Sequence, residues 1–424
     1  MDHVANYPII RKLGEGATSE VFLCQDPFRS REVAVKRIFP EALRDPVRGR
    51  LFRKLFFTEA SLAGKLEHPH IAQIYDAGIG EDSGYIVMEY VPGGTMDRFC
   101  APDNLLALEQ VIDIVFKCTR ALAYAHMQGV AHRDIKPGNI LFATTPVDVR
   151  ISDFGLALNV GAETTQITGV GSPAYMSPEQ IREEIVDHRT DLYSLGVVMY
   201  QLLTGQLPFK ATNKFSMIYQ ITQFEPPAPS ALRQDVPGAL DRIVRRAMQK
   251  EAAKRYHSAD EFAADLLDAL RDGLGRKEEV FGDADKFAAL RALRFFAAFT
   301  DAELWEVVEL GQWEKAAAGA ALMREGEKGD FFCVVLEGEM RVTKNKKLLS
   351  ILGPGECFGE MAYLSLSSPA RGATVAASAD SRILRIHVSA LEQSSIACRS
   401  RFDRAFIGIL VERLNLANTR LTSA

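Results

Sequence analysis

The chain has 424 residues, enough for two or three domains, and its 47% hydrophobic and 25% charged residues are typical of globular proteins. Its formal net charge of −5 is small for this length and argues against a general affinity for nucleic acid or anionic lipid. The six cysteines include no C-x-x-C pair and no apolar run is long enough to cross a membrane, so we expect a soluble, cytoplasmic protein with buried, reduced thiols.

Hydrophobic periodicity predicts a strand-rich region followed by a helical one. Up to about residue 90, β-branched and polar residues alternate, with one helical stretch expected near Phe52 to Leu66. From Leu106 onward the apolar residues recur at helical spacing, and the run from Leu192 to Leu203 predicts a buried helix. A last helix of this region is expected from Ser258 to about Arg271.

A second region follows a short linker. Residues 272–285 combine glycines with mixed charge and few apolar side chains, which predicts that linker. Helices are then expected to about Trp313, short alternating strands separated by glycines from Gly326 through Ile386, and a helical tail from Val388 to Leu421. The chain is therefore predicted to be an α+β protein with two different domains.

A glycine-containing turn near the N-terminus is suited to holding phosphate. Gly14 and Gly16 lie between two apolar stretches, and glycines at a strand turn let backbone N–H groups approach phosphate oxygens. Ala34 and Lys36 follow on a predicted strand, where the lysine can reach nucleotide phosphates, and Glu59 follows on the predicted helix. Taken alone, these glycines are more simply explained by an ordinary hairpin turn.

Polar residues further along the chain complete a set suited to phosphoryl transfer. In chain order they are His132-Arg133-Asp134, Lys136, Asn139, Asp153-Phe154-Gly155 and Ser177-Pro178-Glu179. Transfer of a phosphoryl group requires surrounding positive charge, a metal held by carboxylate and amide oxygens, and a base for the incoming hydroxyl. The order and spacing match the signature set of the protein kinases.

Residues from about Tyr7 to Arg271 therefore resemble a eukaryotic-type protein kinase of the bacterial serine/threonine group. The resemblance implies a kinase domain at 1–271, with a small lobe to about residue 91 and a large lobe from about 92. Such a domain transfers phosphate from ATP, with Mg²⁺, to serine or threonine residues of protein substrates. The residues implied to bind ATP are Gly14, Gly16, Val21, Ala34, Lys36, Glu89 and Val91, with Glu59 as the ion-pair partner of the lysine.

The same resemblance assigns the catalytic and metal-binding roles. Asp134 would orient the substrate hydroxyl and accept its proton, and Lys136 would neutralise the γ-phosphate. Asn139 and Asp153 would hold Mg²⁺. Ser19 stands where such phosphate loops carry a third glycine, so the loop is expected to cover ATP less tightly. A kinase fold that acts only as a scaffold usually lacks the lysine or one of the two aspartates, all of which are present here, so activity is favoured.

Three threonines suggest control by phosphorylation. Thr164, Thr165 and Thr168 lie in the segment that follows the metal-binding aspartate. A phosphate on one of them could pair with Arg133 and order the segment, and autophosphorylation there is our hypothesis. The alternative is a polar surface loop whose threonines have no such role.

The second region carries a carboxylate and a cation suited to a cyclic phosphate. A cyclic nucleotide offers one negative charge and a ribose 2′-hydroxyl, so its site needs one cation, one carboxylate and backbone N–H groups. Glu360 and Arg371 supply the two charges, and Gly359 allows close approach of the backbone.

This stretch, from Phe287 to Leu421, resembles the cyclic-nucleotide-binding domain shared by protein kinase A regulatory subunits and catabolite activator proteins. The resemblance implies an antiparallel, jelly-roll-like β-roll with flanking helices at 286–424. Glu360 would bind the 2′-hydroxyl and Arg371 the cyclic phosphate. Further contacts are implied for Gly359, Met361, Ala362 and Gly372. Gly372 stands where many cyclic-GMP binders carry threonine, which favours cAMP, and a cyclic dinucleotide stays an alternative.

Three functions remain open at this point. The leading one is a serine/threonine protein kinase regulated by a cyclic nucleotide, with the ligand either activating or inhibiting. The second is a constitutive kinase whose β-roll is a dimerisation or docking module, which would make the protein a homodimer. The third is a nucleotide-binding scaffold with an inactive kinase fold. Too few residues follow the β-roll for a helix-turn-helix, so DNA binding is not expected.

Overall fold

The computed structural model describes residues 3–16, 19–41, 64–80, 84–154, 173–211, 213–273, 282–365 and 370–422. The chain divides into two compact units, Met1–Glu279 and Val280–Ala424, and the boundary falls inside the segment predicted as a linker. Most of the helix predicted at 52–66 lies outside the described residues.

The N-terminal unit begins with a six-stranded antiparallel sheet whose order is β1-β2-β3-β4-β6-β5. Its strands are His3–Val4 (β1), Tyr7–Glu15 (β2), Ser19–Asp26 (β3), Arg31–Ile38 (β4), Ile74–Ile79 (β5) and Gly84–Glu89 (β6). Along β4 the side chains alternate between two apolar clusters, with Val33 and Val35 in one and Ala34 and Ile38 in the other. Because strand side chains alternate with a period of two, Lys36 lies on the same face as Ala34 and Ile38.

A mainly helical part completes the unit. A small sheet of three strands is formed by Gly94–Thr95 (β7), Ile140–Phe142 (β8) and Val149–Ile151 (β9). The α-helices are Leu108–Met127 (α1), Pro178–Ile181 (α2), Arg189–Thr204 (α3), Lys214–Gln223 (α4), Pro229–Leu232 (α5), Gly238–Ala247 (α6) and Ala259–Gly273 (α7).

Helix α3 is the predicted buried helix, and that prediction is confirmed. Its side chains are buried on nearly every side, as expected for a helix that is apolar all round. It ends at Gly205, whose φ of 69° is left-handed and whose added Cβ would lie 2.5 Å from the backbone nitrogen of Pro102. The helix thereby fixes Asp191 in its first turn, in the interior of the unit.

The C-terminal unit contains two four-stranded antiparallel sheets with the orders β10-β17-β12-β15 and β11-β16-β13-β14. Its strands are Gln312–Ala316 (β10), Ala321–Met323 (β11), Phe331–Glu337 (β12), Met340–Lys344 (β13), Lys347–Leu352 (β14), Cys357–Phe358 (β15), Thr374–Ala377 (β16) and Ser381–His387 (β17). Its α-helices are Asp283–Ala292 (α8), Asp301–Leu310 (α9), Met361–Leu364 (α10), Val388–Gln393 (α11) and Ile396–Thr422 (α12). The predicted antiparallel β-roll with flanking helices is confirmed.

Both sheets contribute to one core. The buried residues that pack together there are Ala316, Met323, Cys333, Val335, Met340, Leu352, Phe358, Val375, Ala377 and Ile383. A separate aromatic cluster attaches the long helix α12 to this unit: Phe402 and Phe406 lie 5.6 Å and 5.0 Å from the ring of Phe332 on β12. Such aromatic pairs stabilise beyond the area that they bury.

One predicted boundary was wrong. Helices were expected to about Trp313, but α9 ends at Leu310, and Trp313 belongs to β10, where it pairs with Leu384 of β17. Gly311 makes the early change of direction possible, because a Cβ at this position would lie 2.2 Å from Cδ1 of Leu384.

The cysteines are thiols, and the prediction that they are buried is confirmed for five of the six. Cys100 is half-buried. Burial raises the pKa of Cys118 to about 12, so this thiol stays protonated at neutral pH. Among the described helices, none has both the length and the hydropathy needed to cross a bilayer.

Candidate functional site

An ion pair joins the six-stranded sheet to the segment that follows the three-stranded sheet. Nζ of Lys36, on β4, lies 2.6 Å from Oδ1 of Asp153, which follows β9. Burial alone would raise the pKa of Asp153, but the charge and hydrogen bond of Lys36 outweigh it, so the pKa of this carboxyl lies below its usual value. Asp153 is therefore ionised at neutral pH, and it is held in left-handed backbone with φ of 61°.

A second ion pair lies in the loop before β8. Lys136 donates from Nζ to Oδ2 of Asp134 at 2.7 Å, and Asn139 donates from Nδ2 to the same oxygen at 3.0 Å. The amide of Asn139 also donates to the backbone oxygen of Asp134 at 2.8 Å. These bonds fix one carboxylate oxygen of Asp134 and direct the amide oxygen of Asn139 away from it.

Hydrogen bonds tie this loop to the segment of Asp153. The backbone N–H of Ser152 donates to the carbonyl of Asn139 at 2.8 Å, and Nε2 of His132 lies 2.8 Å from the carbonyl of Ser152. The ring of His132 also contacts Phe154 edge-on, with the centroids 4.7 Å apart. The two predicted motifs, one around Asp134 and one around Asp153, therefore form one connected site.

Asp191 anchors the backbone just before Asp134. Its buried carboxylate accepts the N–H of His132 at 2.8 Å and the N–H of Arg133 at 2.6 Å, and it lies 2.9 Å from Nε2 of His126. Burial would raise the pKa of Asp191, but the hydrogen bonds from His126 and the backbone hold that pKa below its usual value. Arg133 is in left-handed backbone with φ of 63°, a conformation that costs energy and needs such support.

Glu179 and Arg255 form a buried, two-pronged ion pair. The two guanidinium nitrogens donate to the two carboxylate oxygens at 2.6 Å and 2.7 Å, and the arginine side chain is 0% exposed. Gln180, next to Glu179, donates from Nε2 to the carbonyl of Arg133 at 2.9 Å. The ion pair thus supports α2, which in turn contacts the loop that carries Asp134.

Two of the residues predicted to bind ATP, Val21 and Ala34, lie in one apolar cluster of the six-stranded sheet. Met88 belongs to the same cluster and directly precedes the segment with Glu89 and Val91, which are also predicted to bind ATP. The N–H of Glu89 donates to the carbonyl of Gln73 at 2.8 Å, so this donor is engaged within the protein.

The predicted phosphate loop is described only in part. Gly14 pairs with Val21 across β2 and β3, and the N–H of Gly16 donates to the carbonyl of Ser19 at 2.7 Å. Neither glycine has a left-handed φ, and an added Cβ on Gly14 would meet nothing within 4 Å. The predicted ion-pair partner Glu59 and the candidate phosphorylation sites Thr164, Thr165 and Thr168 lie outside the described residues.

The C-terminal unit brings Arg371 and Gly359 together. Arg371 is 8% exposed, and its guanidinium donates to the backbone oxygens of Gly359 at 3.1 Å and Phe331 at 2.8 Å. Its cationic carbon lies 4.6 Å from the centroid of the Phe331 ring, a distance at which the ring attracts the charge. Burial lowers the pKa of Arg371 from its usual value, yet an arginine stays charged at neutral pH.

The other predicted residues of this site surround the start of α10. Glu360 is buried, and its charge acts on Arg371. The N–H of Ala362 donates to the carbonyl of Gly359 at 3.0 Å, so a phosphate contact at this N–H would replace a bond within the protein. Met361 is 51% exposed. An added Cβ on Gly372 would meet nothing within 4 Å.

Sequence reasoning missed several residues of these sites. His126 takes part through its hydrogen bond to Asp191, Ser152 through its bonds to His132 and Asn139, and Phe331 through its ring and its carbonyl. These residues have no motif of their own in the sequence.

The oxygen donors fit a magnesium ion and a nucleotide. The amide nitrogen of Asn139 donates within the protein, which leaves the amide oxygen to bind a metal. Asp153 supplies an ionised carboxylate in the same hydrogen-bonded network. Carboxylate and amide oxygens are the hard ligands that Mg²⁺ takes together with phosphate oxygens. Among the described residues, no group of three or more His, Cys, Asp or Glu side chains could hold a metal ion by itself.

Comparisons with known proteins agree with the motifs. The protein kinase domain family matches residues 7–267, and the cyclic nucleotide-binding domain family matches residues 313–394. Serine/threonine-protein kinase PknB of Mycobacterium leprae is 38% identical over 286 residues, which cover 66% of this chain and 45% of that protein.

Two further relatives give the same picture. PknB of Mycolicibacterium smegmatis is 37% identical over 294 residues, covering 68% of this chain and 46% of the relative. Serine/threonine-protein kinase PrkC of Bacillus subtilis is 35% identical over 266 residues, covering 62% of this chain and 40% of the relative. The matched residues thus span less than half the length of these relatives. Since the first family alone covers more than half of the chain, and the resemblance seen in the motifs is confirmed, the chain belongs to the protein kinase family and carries a cyclic nucleotide-binding domain after its kinase domain.

Proposed function

We propose that the N-terminal unit is a serine/threonine protein kinase that uses ATP and Mg²⁺. The observation that carries the proposal is the single hydrogen-bonded network in which two lysines, two aspartates and one asparagine meet. These residues are Lys36, Asp134, Lys136, Asn139 and Asp153. Catalysis of phosphoryl transfer is mainly positioning and charge stabilisation, which this set supplies.

The side chains then have distinct tasks in the reaction. Asp134, with Oδ2 fixed by Lys136 and Asn139, orients the substrate hydroxyl and takes its proton. The hydroxyl oxygen forms a bond to the γ-phosphorus while the bond from that phosphorus to the bridging oxygen of ADP breaks. Lys36 holds the α- and β-phosphates. Mg²⁺, held by Asn139 and Asp153, neutralises charge on the phosphates when it is bound.

A kinase assay tests this proposal directly. The full chain is incubated with MgATP and a generic substrate such as myelin basic protein, and the phosphorylated amino acids are identified. Lys36→Met is expected to slow phosphorylation by about 10²-fold or more, because a preorganised cation is lost. Lys254→Met is the matched control, since the Lys254 side chain is 61% exposed and pairs with Glu251, which is not part of the network. Full activity of Lys36→Met would disprove the assignment.

The second part of the proposal is that the C-terminal unit binds a cyclic nucleotide, with cAMP favoured. The supporting observation is the buried cation of Arg371, whose two hydrogen bonds within the protein go to uncharged carbonyl groups. No carboxylate of the described residues lies within ion-pair distance of it, and residues 366–369 contain no acidic side chain. Buried charges are normally paired at close range, whereas Asp330 and Glu360 act on Arg371 from beyond ion-pair distance, so a ligand phosphate would supply the close negative charge.

Binding is measured by isothermal titration of the full chain with cAMP and with cGMP. Arg371→Ala removes a charge-assisted contact of about 1.5–3 kcal/mol and is expected to weaken binding some tens of times or more. Arg324→Ala is the control, because the Arg324 side chain is 70% exposed. If wild-type protein binds neither nucleotide, this part of the proposal fails.

The third part of the proposal is that the bound cyclic nucleotide regulates the kinase domain. A bound nucleotide changes kinase activity only if it binds the active and inactive states with different affinity. The phosphorylation rate with and without saturating cAMP therefore tests regulation and gives its sign. An unchanged rate with bound ligand would leave a constitutive kinase with an attached binding domain.

The alternative, a dimerisation or docking module, has an observation of its own. On α12 the side chains of Ile407, Leu410 and Val411 are 58%, 39% and 51% exposed. Exposed apolar side chains grouped on one helix are typical of an interface. Light scattering coupled to gel filtration measures the mass of the particle, and Val411→Lys would convert a homodimer formed through this surface to a monomer.

Two further expectations stay predictions. Autophosphorylation at Thr164, Thr165 or Thr168 is checked by mass spectrometry after incubation with MgATP, and an active enzyme unmodified in this segment would contradict it. The cytoplasmic location is checked by fractionation of cells that express the protein.

A further inference from the structure

The guanidinium of Arg371 lies in a narrow slot. On one side is Gly359, where an added Cβ would lie 2.8 Å from Nη1 of the arginine. On another is Gly329, where an added Cβ would lie 2.0 Å from both Cζ and Nε. The ring of Phe331 and the two backbone oxygens that accept from the guanidinium complete the slot.

Backbone conformation explains one of these glycines but not the other. Gly359 has φ of 79°, a left-handed conformation that favours glycine whatever surrounds it. Gly329 has no left-handed φ, so its backbone would accept alanine. What excludes a side chain at Gly329 is the space that Arg371 occupies.

The backbone of Arg371 is fixed against the same turn. Its N–H donates to the carbonyl of Glu327 at 2.7 Å, and its carbonyl accepts the N–H of Gly326 at 2.8 Å. The turn that contains Gly329 therefore fixes the main chain of Arg371 by hydrogen bonds, and the absence of a side chain at Gly329 leaves room for the guanidinium.

We propose that Gly329 is a positioning residue for Arg371, and that its missing side chain keeps the guanidinium where it can bind the phosphate of the ligand. This inference rests on the proposed binding of a cyclic nucleotide. An alanine at 329 displaces the flexible end of the arginine rather than the backbone, because the three atoms nearest to the added Cβ all belong to the guanidinium. The displaced head group loses its bonds to Gly359 and Phe331 and no longer points its charge at the ligand.

The test uses the full chain in five forms: wild type, Gly329→Ala, Arg371→Lys, the double variant, and Gly353→Ala. Gly353 is the matched control, because an added Cβ there meets nothing within 4 Å and its φ is not left-handed. Two quantities are measured for each form: the affinity for cAMP by isothermal titration, and the unfolding temperature without ligand by scanning calorimetry.

Gly329→Ala is expected to weaken cAMP binding about tenfold or more, and Gly353→Ala to leave it within about twofold of wild type. In the Arg371→Lys background, Gly329→Ala is expected to change neither affinity nor unfolding temperature further, because lysine has no guanidinium in the slot. Such non-additivity is the mark of two groups that act through each other. Wild-type affinity in Gly329→Ala, or an equal effect in both backgrounds, would overturn the inference.

The two measurements test the positioning role of Gly329 and the identity of the proposed ligand separately. If the wild type binds no cyclic nucleotide, the proposed ligand is refuted, and the glycine–arginine coupling is judged on the unfolding temperatures alone. Non-additive temperatures then support the positioning role, and additive temperatures overturn it.

Discussion

Replacing Asp191 by asparagine is expected to destabilise the kinase domain by about 3–5 kcal/mol and to slow phosphoryl transfer. The carboxylate accepts two backbone N–H groups, from His132 and Arg133, and also lies 2.9 Å from Nε2 of His126. Asparagine has one acceptor oxygen, so in either orientation its NH₂ group faces at least one backbone N–H. One charge-assisted bond of about 1.5–3 kcal/mol is lost, and a buried donor left without an acceptor costs about 1–3 kcal/mol more.

Activity is expected to fall because the same bonds hold Arg133 in its left-handed conformation, directly before Asp134. A misplacement of about 1 Å at a catalytic group costs on the order of 10²-fold in rate. Chemical denaturation and the kinase assay measure the two effects on the same protein, with Asp260→Asn, at a side chain that is 64% exposed, as the control. A loss of stability below about 1 kcal/mol, with the rate within about twofold of wild type, would refute this reasoning.

The pH dependence gives an independent check on Asp191. Its pKa is lowered in the folded protein, so its contribution to stability is present above about pH 4 and is lost as the pH falls through the folded pKa. The difference in stability between wild type and Asp191→Asn should therefore narrow in acid. A difference that stays constant from neutral pH to well below pH 4 would mean that the carboxylate is not ionised through these contacts.

Three further predictions concern the remaining contacts. Arg255→Lys keeps the charge but loses the two-pronged bond to Glu179, so the free energy of unfolding measured by chemical denaturation is expected to fall by about 2–3 kcal/mol. An unchanged free energy of unfolding would show that the two-pronged geometry is unimportant. Lys36→Met is expected to raise the pKa of Asp153, because the positive charge that offsets the effect of burial is removed. NMR titration of the carboxyl groups in nucleotide-free protein measures this pKa, and an unchanged value would contradict the ion pair. Thr300→Ala removes the side chain that caps α9 and is expected to cost about 1 kcal/mol locally, seen as faster amide exchange in that helix; unchanged exchange would show that the cap contributes little.

The charged residues of the kinase site could be predicted from the sequence because the chemistry leaves few choices. A metal requires oxygen donors and a triphosphate requires cations, so Lys36, Asp134 and Asp153 carry recognisable signals in the chain. The contacts of Asp191 illustrate what could not be predicted. Its partners are the backbone N–H groups of His132 and Arg133, and every residue except proline has such a group, so no residue type marks the contact.

The C-terminal site shows a similar limit. Glu360 and Arg371 were identifiable as the two charges of a motif, whereas the role of Gly329 depends on the space that one side chain fills. The error at Trp313 has a related cause. Its aromatic side chain suits either a helix or a strand, and the contact of Gly311 with Leu384, which ends the helix early, joins two segments that are far apart in sequence.

The two sites hold their cations in opposite ways, and this difference bears on how each would respond to a phosphate. Lys36 is paired with Asp153, so a nucleotide that takes this lysine must displace the pair, and a metal held by Asn139 and Asp153 would give the aspartate a new positive partner. Nucleotide and metal should therefore bind there cooperatively rather than independently. Arg371 is held by carbonyl dipoles, which orient the guanidinium without neutralising its charge. A single phosphate can then meet that charge without breaking an ion pair, as a site for a small singly charged ligand requires.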